Sequence, residues 1–235
     1  MQKPLKSFRN QLLNGLSPED FALIETSLQQ VDLEVRKSLE KPATPIEHIY
    51  FPEDGVASVV ATMPQGKSIE LGLVGREGMT GSSVVLGDDR PANETYIQVP
   101  GSGSLLGADQ LREAMSKSAT LRPFLLRYVQ TFLIQTAQTA LANGHFKLEE
   151  RLARWLLMVH DRIDGDRLEL THEFLATMLG VRRPGVTVAL HILEGRGLIR
   201  SKRTQVIVID REGLEELANG SYGVPEAQYR RIMEK

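Results

Sequence analysis

The pattern of apolar and polar positions changes along the chain and predicts three kinds of segment. Residues 17–30 begin with Ser17 as a helix N-cap, Pro18 in the first turn and two acidic residues behind it, which predicts a short helix. From about residue 31 to residue 108, short β-branched segments alternate with turns rich in Gly, Pro and Asp. This rhythm is typical of a small antiparallel barrel or roll. Beyond residue 108 the apolar positions recur at helical spacing.

Six segments of the β-rich region are predicted to be strands of a few residues each. They cover residues 46–52, 55–63, 67–74, 82–87, 94–100 and 103–108. Their spacing is near-regular, and no sequence repeat accompanies it.

Residues 108–117, 119–143 and 145–164 are predicted to be helices, and the longest of them carries two apolar seams. The first seam has the 4-3 spacing of a coiled coil and comprises Leu121, Leu125, Tyr128, Phe132, Gln135 and Thr139. The second comprises Leu126, Val129, Leu133, Ala137 and Ala140. Such a helix can pack on its own domain with one seam and on a partner with the other. We assign the first seam to the partner; burial of both seams in one domain is the alternative.

The segment Leu170–Leu193, LTHEFLATMLGVRRPGVTVALHIL, predicts two short helices joined by a sharp turn. Thr171 is a candidate N-cap, Gly180 can take the left-handed conformation that ends the first helix, and Pro184 marks the start of the second. The predicted buried stripes are Phe174, Leu175, Met178 and Leu179, then Val186, Ala189, Leu190 and Leu193. This order of elements is that of a helix-turn-helix, whose second helix enters the major groove of DNA.

Basic residues concentrate around this hairpin. The formal net charge is −2, but residues 1–115 hold 10 Lys+Arg against 16 Asp+Glu, and Glu194 is the only acid between Arg182 and Arg203. Residues 197–210 read as a β-hairpin, or wing, with Lys202 and Arg203 at its tip over the phosphate backbone. A local basic cluster favours contact with a polyanion, and a solvated face is the alternative.

Composition removes several classes of function. The chain has no cysteine, which excludes disulfides, thiolate metal sites and iron–sulfur clusters. No apolar run reaches the roughly 20 residues of a membrane span, and the basic N-terminus lacks the apolar core of a secretion signal, so a cytoplasmic protein is expected. A cupin-like metal enzyme would need several histidines, and only His48 precedes residue 145. A winged-helix module that binds a protein stays open as an alternative.

A β-roll, a long helix with two seams and LTHEFLATMLGVRRPGVTVALHILEGRGLI followed by a wing resemble the Crp–Fnr family of bacterial transcription regulators. The resemblance covers residues 15 to 215 and implies an α+β chain with an N-terminal antiparallel β-roll of the cyclic-nucleotide-binding kind. A long dimerisation helix and a C-terminal winged helix-turn-helix follow. It also implies a homodimer on two-fold symmetric double-stranded DNA. Contact with RNA polymerase is expected as well, whereas the lack of a long apolar run and of a catalytic motif predicts no membrane partner and no catalysis. We place the domains at 1–118, 119–145 and 146–217, and assign residues 218–235 no role.

The recognition residues match the family unevenly. Arg183 falls on the family's guanine-reading arginine, Pro184 replaces an acid, and Val188 stands where cyclic-AMP-responsive members carry a second arginine. The operator sequence therefore does not carry over. The candidate DNA contacts are Thr171, His172, Arg182, Arg183, Thr187, Val188, His191, Lys202 and Arg203.

The effector segment, GREGMTGSSVVLGDDRPANETYIQVPG, departs further from the family pattern. It lacks the acid that holds a ribose, and Glu94 stands near the phosphate-binding position, where it would repel a phosphate. We therefore expect no cyclic AMP, an effector of unknown identity and no metal or other cofactor. The candidate effector pocket comprises Gly78, Met79, Thr80, Gly81, Arg90, Asn93 and Glu94.

Overall fold

The computed structural model describes residues 8–202 and 204–234. The helices are α1 Gln11–Asn14, α2 Pro18–Ala22, α3 Ser82–Leu86, α4 Ala108–Lys117, α5 Leu121–His145, α6 Leu148–His160, α7 His172–Met178, α8 Arg183–Gly195, α9 Arg211–Leu217 and α10 Val224–Met233. The strands are β1 Gln29–Leu33, β2 Ser38–Glu40, β3 His48–Pro52, β4 Val56–Thr62, β5 Ser68–Val74, β6 Glu94–Val99, β7 Gly101–Gly107, β8 Arg167–Leu168, β9 Ile199–Lys202 and β10 Gln205–Val208.

Three antiparallel sheets organise these elements. The first two, in strand orders β1-β7-β3 and β2-β6-β4-β5, form the N-terminal β-roll. The third, β8-β10-β9, lies in the C-terminal winged domain, which we define as α6 to α9. The long helix α5 connects the two parts. The predicted α+β class, with a β-roll, a long helix and a winged helix-turn-helix, is confirmed.

The helix predicted over residues 17–30 is much shorter than expected. Ser17 does cap α2, because its hydroxyl accepts from the Asp20 N–H at 3.1 Å. However, α2 ends at Ala22, a 3₁₀ turn covers Glu25–Ser27, and Gln29 begins β1. Strand β1 pairs with β7 some seventy residues later, a long-range contact that overrides the local helical pattern. Strands β1 and β2 were both missed.

The prediction of a strand over residues 82–87 is wrong, because Ser82–Leu86 form the one-turn helix α3. Gly81 and Gly87 bracket it with φ values of 79° and 97°, which turn the chain away from any sheet. The turn places Val84 and Val85 in the core beside α4 and α5. A short β-branched segment can form either a strand or a helix, and here packing against α4 and α5 selects the helix.

The β-roll and the winged domain share one hydrophobic core. Val56, Val60 and Leu73 of the roll belong to the same buried cluster as Trp155 and Leu156 of α6. Polar contacts cross this interface as well: the Trp155 indole donates to Glu70 Oε1 at 2.8 Å. The winged domain is therefore docked against the four-stranded sheet, and this docking places the helix-turn-helix.

The structure turns the first seam of α5 inward, whereas of the second seam only Val129 is buried. Leu121, Leu125 and Tyr128, assigned from the sequence to the partner, are buried in the chain's own core. Phe132 packs on the roll, Gln135 exchanges hydrogen bonds with the Leu73 backbone, and Thr139 bonds to Arg154 of α6. The assignment of this seam is thus wrong for a physical reason: the roll and its associated core supply apolar and backbone partners as far as Gln135, and α6 supplies the partner of Thr139.

The segment after α9 is a folded part of the molecule. Residues 218–220 form a turn, and α10 packs along α5 through residues that include the buried Pro225 and Ile232. The domain boundaries stated above stay a prediction.

Candidate nucleic-acid interface

The helix-turn-helix forms as its sequence predicts. The Thr171 hydroxyl caps α7 by accepting from the Phe174 N–H at 3.2 Å, and Gly180 takes a left-handed φ of 63° in the turn. Helix α8 begins at Arg183, and its predicted stripe of Val186, Ala189, Leu190 and Leu193 is fully buried. Of the α7 stripe, only Phe174 is not fully buried; its ring packs on Trp155. The two buried stripes fix α8 against the rest of the winged domain and leave the first residues of α8 exposed to solvent.

The outward face of α8 carries most of the predicted DNA contacts. Arg182, Arg183 and His191 are exposed, and Val188 keeps 58% of its surface. Among the described residues, neither arginine side chain has a hydrogen-bonding or ionic partner. Residues 183, 187 and 191 are one turn apart each and therefore share this face. Two unpaired guanidinium groups beside the positive end of a helix are suited to phosphate or guanine.

His172 joins the two helices at this surface. Its Nδ1 lies 3.1 Å from Thr187 Oγ1, so a residue at the start of α7 is fastened to α8. Partial burial, followed by the charges of Arg183 and His191, lowers the pKa of His172. The structure thus brings Thr171, His172, Arg183, Thr187 and His191 into one region, as the sequence interpretation required.

The wing adds a second basic element. Strands β9 and β10 pair antiparallel with Lys202 opposite Gln205, and Lys202 is exposed. Glu194, the only acid in the cluster, accepts from the Ser201 N–H at 2.9 Å and so helps to hold the wing on α8. Arg203, the other predicted contact at the tip, lies outside the described residues.

Only some of the residues predicted to form the effector pocket line a common cavity. A cavity of about 120 Å³ lies between the four-stranded sheet, α3 and Phe132 of α5. Met79, Thr80, Gly81 and Asn93 line it as predicted.

Gly78, Arg90 and Glu94 do not line that cavity. Gly78 packs against the ring of Tyr128, where a Cβ would lie 2.4 Å from the hydroxyl oxygen. Arg90 is exposed, donates to the Ala43 carbonyl and lies beside Asp89. Glu94 lies at the first position of β6, between the lining residues Asn93 and Thr95, but is not itself part of the lining. The structure therefore does not place these three residues in the cavity wall.

Glu40 is the charged residue of the described cavity lining, and sequence reasoning missed it. Its carboxylate accepts from the Gly81 N–H and the Thr95 hydroxyl, and burial, only partly offset by these bonds, raises its pKa. No local pattern identifies Glu40, because the pairing of β2 with β6 brings it to the cavity. Among the described residues that line the cavity, none is Lys, Arg or His. The cavity therefore offers an acid and hydroxyls but no cation.

Residues 8–202 and 204–234 contain no group of three or more His, Asp or Glu side chains arranged to hold a metal ion. Within the same residues, no helix combines the length and the apolar character that crossing a bilayer requires.

Comparisons with known proteins agree with this geometry. Residues 150–217 match the model of the Crp-like helix-turn-helix domain. The chain is 25% identical over 215 residues to a CRP-like cAMP-activated global transcriptional regulator of Mycobacterium tuberculosis, covering 88% of this chain and 96% of that protein. It is 23% identical over 216 residues to a global nitrogen regulator of a Nostoc species, with coverage of 88% and 92%.

Solved structures share the fold. A protein described as a crp/fnr-family transcriptional regulator from Eubacterium rectale superposes with a TM-score of 0.70 at 18% identity, covering 90% of this chain and 99% of that one. FixK2 from Bradyrhizobium japonicum gives a TM-score of 0.67 at 17% identity, with coverage of 81% and 96%.

Proposed function

Because the chain belongs to the Crp–Fnr family of transcription regulators and carries a helix-turn-helix DNA-binding domain, we propose that it acts as a homodimer on two-fold symmetric double-stranded DNA. One observation carries this proposal: Arg182 and Arg183 project unpaired, among the described residues, from the start of a helix whose other face is fully buried. Arg183 reads a base edge, while Lys202 and the backbone at the start of α8 contact phosphates.

Selection from a random DNA pool tests this function. The full chain is expected to enrich a sequence with two-fold symmetry whose half-sites lie about one helical turn, roughly 10 base pairs, apart. Repeating the selection with a small-molecule fraction of cell extract shows whether an effector alters binding. A chain that enriches no sequence at low salt contradicts the proposal and favours a winged-helix module that binds a protein.

The proposed dimer uses the exposed side of α5. Leu126, Leu133 and Leu141 keep 38%, 54% and 46% of their surface, and Ala137 and Ala140 lie between them. The exposed positions 126, 130, 133, 137 and 140 follow the spacing of a coiled-coil seam, which is the pattern that a second copy of the same helix fits. This seam replaces the one inferred from the sequence.

A charge in the middle of that seam tests the dimer. Leu133→Lys is expected to yield a monomer by size-exclusion chromatography with light scattering, because two lysines would meet across the two-fold axis. Ile209→Lys is the matched control, since Ile209 is equally exposed but lies in the winged domain, between β10 and α9. A monomeric parent chain, or a Leu133→Lys variant that stays dimeric, contradicts this seam.

The cavity in the roll is proposed to reject cyclic AMP. Pockets that enclose drug-sized ligands measure about 300–1,000 Å³, whereas this cavity measures about 120 Å³ and faces a phosphate with Glu40 instead of a cation. Titration calorimetry with millimolar cyclic AMP is expected to show no binding. The M. tuberculosis relative, whose name states that it is cAMP-activated, is the positive control; a saturable signal from this chain overturns the proposal.

The remaining expectations stay predictions. They are contact with RNA polymerase, a cytoplasmic location and the absence of catalysis. The relatives are transcription regulators, and metal analysis of the purified chain tests the cupin-like alternative directly.

A further inference from the structure

Residues 221–233, which we call the C-terminal strap, are bonded to the winged domain at their beginning. The Ser221 carbonyl accepts from Arg154 Nε of α6 at 3.0 Å. The Tyr222 hydroxyl donates to Asp161 Oδ2 at 2.7 Å and accepts from Arg211 at the same distance. Three polar contacts therefore hold this end of the strap to α6, the residue after it and α9.

The other end of the strap is bonded to the β-roll. The Tyr229 hydroxyl donates to the Glu77 carbonyl at 2.8 Å. The Tyr229 ring and Met233 pack on the hydrophobic cluster that contains Met79 of the roll and Leu125 of α5. The strap, which comprises residues 221–223 and α10, thus spans the boundary between the two parts of the molecule, with a tyrosine hydroxyl bonded on each side.

Glu77 joins the strap, the winged domain and the cavity. Its carboxylate pairs with Arg162 at 2.8 Å, and the two side chains keep only 17% and 7% of their surface. Its carbonyl holds the strap, as described. The chain then continues through Gly78 into Met79 and Thr80, which line the cavity. A displacement of residues 77–80 would therefore disturb the contacts that Glu77 makes with Tyr229 and with Arg162.

We propose that the strap is an interdomain clamp that holds the winged domain docked on the β-roll and has to release before that domain can reorient. The geometry favours this order, because Tyr222 bonds to the winged domain and Tyr229 bonds to the roll. A rotation that separates these two anchoring points is opposed by the strap. This proposal does not depend on the proposed operator binding or on the proposed dimer.

Hydrogen–deuterium exchange of the full chain without DNA tests the clamp. Tyr229→Phe and Tyr222→Phe each remove one hydroxyl and keep the ring, at opposite ends of the strap. The deciding peptides cover Ser68–Val74 and residues 175–181, because Ile69 and Gly180 contact each other across the interface. Both variants are expected to exchange about two- to tenfold faster in these peptides, the effect of one internal hydrogen bond on an opening equilibrium.

Arg231→Ala is the matched control, because Arg231 lies on the exposed face of α10 and bonds only to Gln228 of the same helix within the described residues. It is expected to leave both peptides unchanged. Faster exchange confined to α10, with both deciding peptides unchanged in both tyrosine variants, overturns the clamp and leaves the strap a local packing element. Since no DNA is present, either result is independent of the proposed operator binding.

Discussion

Arg162 and Arg183 are twenty-one residues apart in the same domain, yet their surroundings are opposite. The Arg162 guanidinium is buried, pairs with Glu77 and donates to the Met158 carbonyl. The Arg183 guanidinium is exposed and has no partner among the described residues. Arg154 resembles the first, being bonded to the strap and to Thr139. Arg182 resembles the second.

This difference separates cations that hold the fold from cations that are available to a ligand. A buried guanidinium is tolerated only when carboxylates and carbonyls take its donors. An exposed, unpaired one keeps its planar set of donors for phosphate or guanine. Substitutions in the first set should therefore change stability, and substitutions in the second set should change DNA affinity.

The largest expected effect comes from Arg162→Ala. It leaves the Glu77 carboxylate buried without its partner, which typically destabilises a protein by about 3–5 kcal/mol. Urea denaturation measures the change. Arg200→Ala, at an exposed position of the wing, is the control and is expected to stay within about 0.5 kcal/mol of the parent. Equal stability of the two variants would break the distinction between the two sets.

Glu70→Gln tests the buried interface between the roll and the winged domain through the pH dependence of stability. Burial, only partly offset by Ser58, Trp155, Arg154 and Arg162, raises the pKa of Glu70 to about 7. Because the pKa of Glu70 is higher in the folded than in the unfolded chain, its contribution to the free energy of unfolding is complete below about pH 4.5. This contribution is lost as the pH rises through about 7. Glutamine does not titrate, so the variant does not lose this contribution. Its free energy of unfolding relative to that of the parent should therefore rise by about 2–3 kcal/mol between pH 5 and pH 8.

Denaturant unfolding at several pH values measures that difference. Glu47→Gln provides the control, because Glu47 lies exposed just before β3. A constant difference between the Glu70 variant and the parent across this range contradicts a raised pKa of Glu70 in the docked interface.

Arg183→Ala tests the role of the exposed arginines in DNA binding. It is expected to weaken binding to the selected DNA site by about 1–3 kcal/mol and to relax preference at one base position. Fluorescence anisotropy measures the affinity, and the thermal midpoint should not move, because no described contact is lost. Full affinity in this variant would remove Arg183 from the readout.

Lys202→Ala should give the smallest effect. A lysine that contacts a phosphate contributes equally on all sequences, so its loss should reduce the slope of log affinity against log salt by about 1. Anisotropy titrations on selected and random duplexes at several salt concentrations measure this slope. A loss restricted to the selected site would indicate base readout by the wing.

The helix-turn-helix was predictable almost residue by residue. The Thr171 cap, the left-handed Gly180 and the buried stripe of α8 all depend on neighbours within a few turns. The roll was predictable only in class. Strands β1 and β2 were missed and α3 was taken for a strand, because their conformations depend on pairing and packing with residues far along the chain.

By itself, the sequence determined the periodicities, caps and turns, and with them the family fold and the basic face of α8. Only the tertiary structure decided which seam of α5 turns inward, that Glu40 reaches the cavity, and that the last helix spans both domains. The physical reason is distance along the chain. A cap or an amphipathic stripe is complete within a few residues, whereas a buried carboxylate or an interdomain contact exists only after remote segments meet.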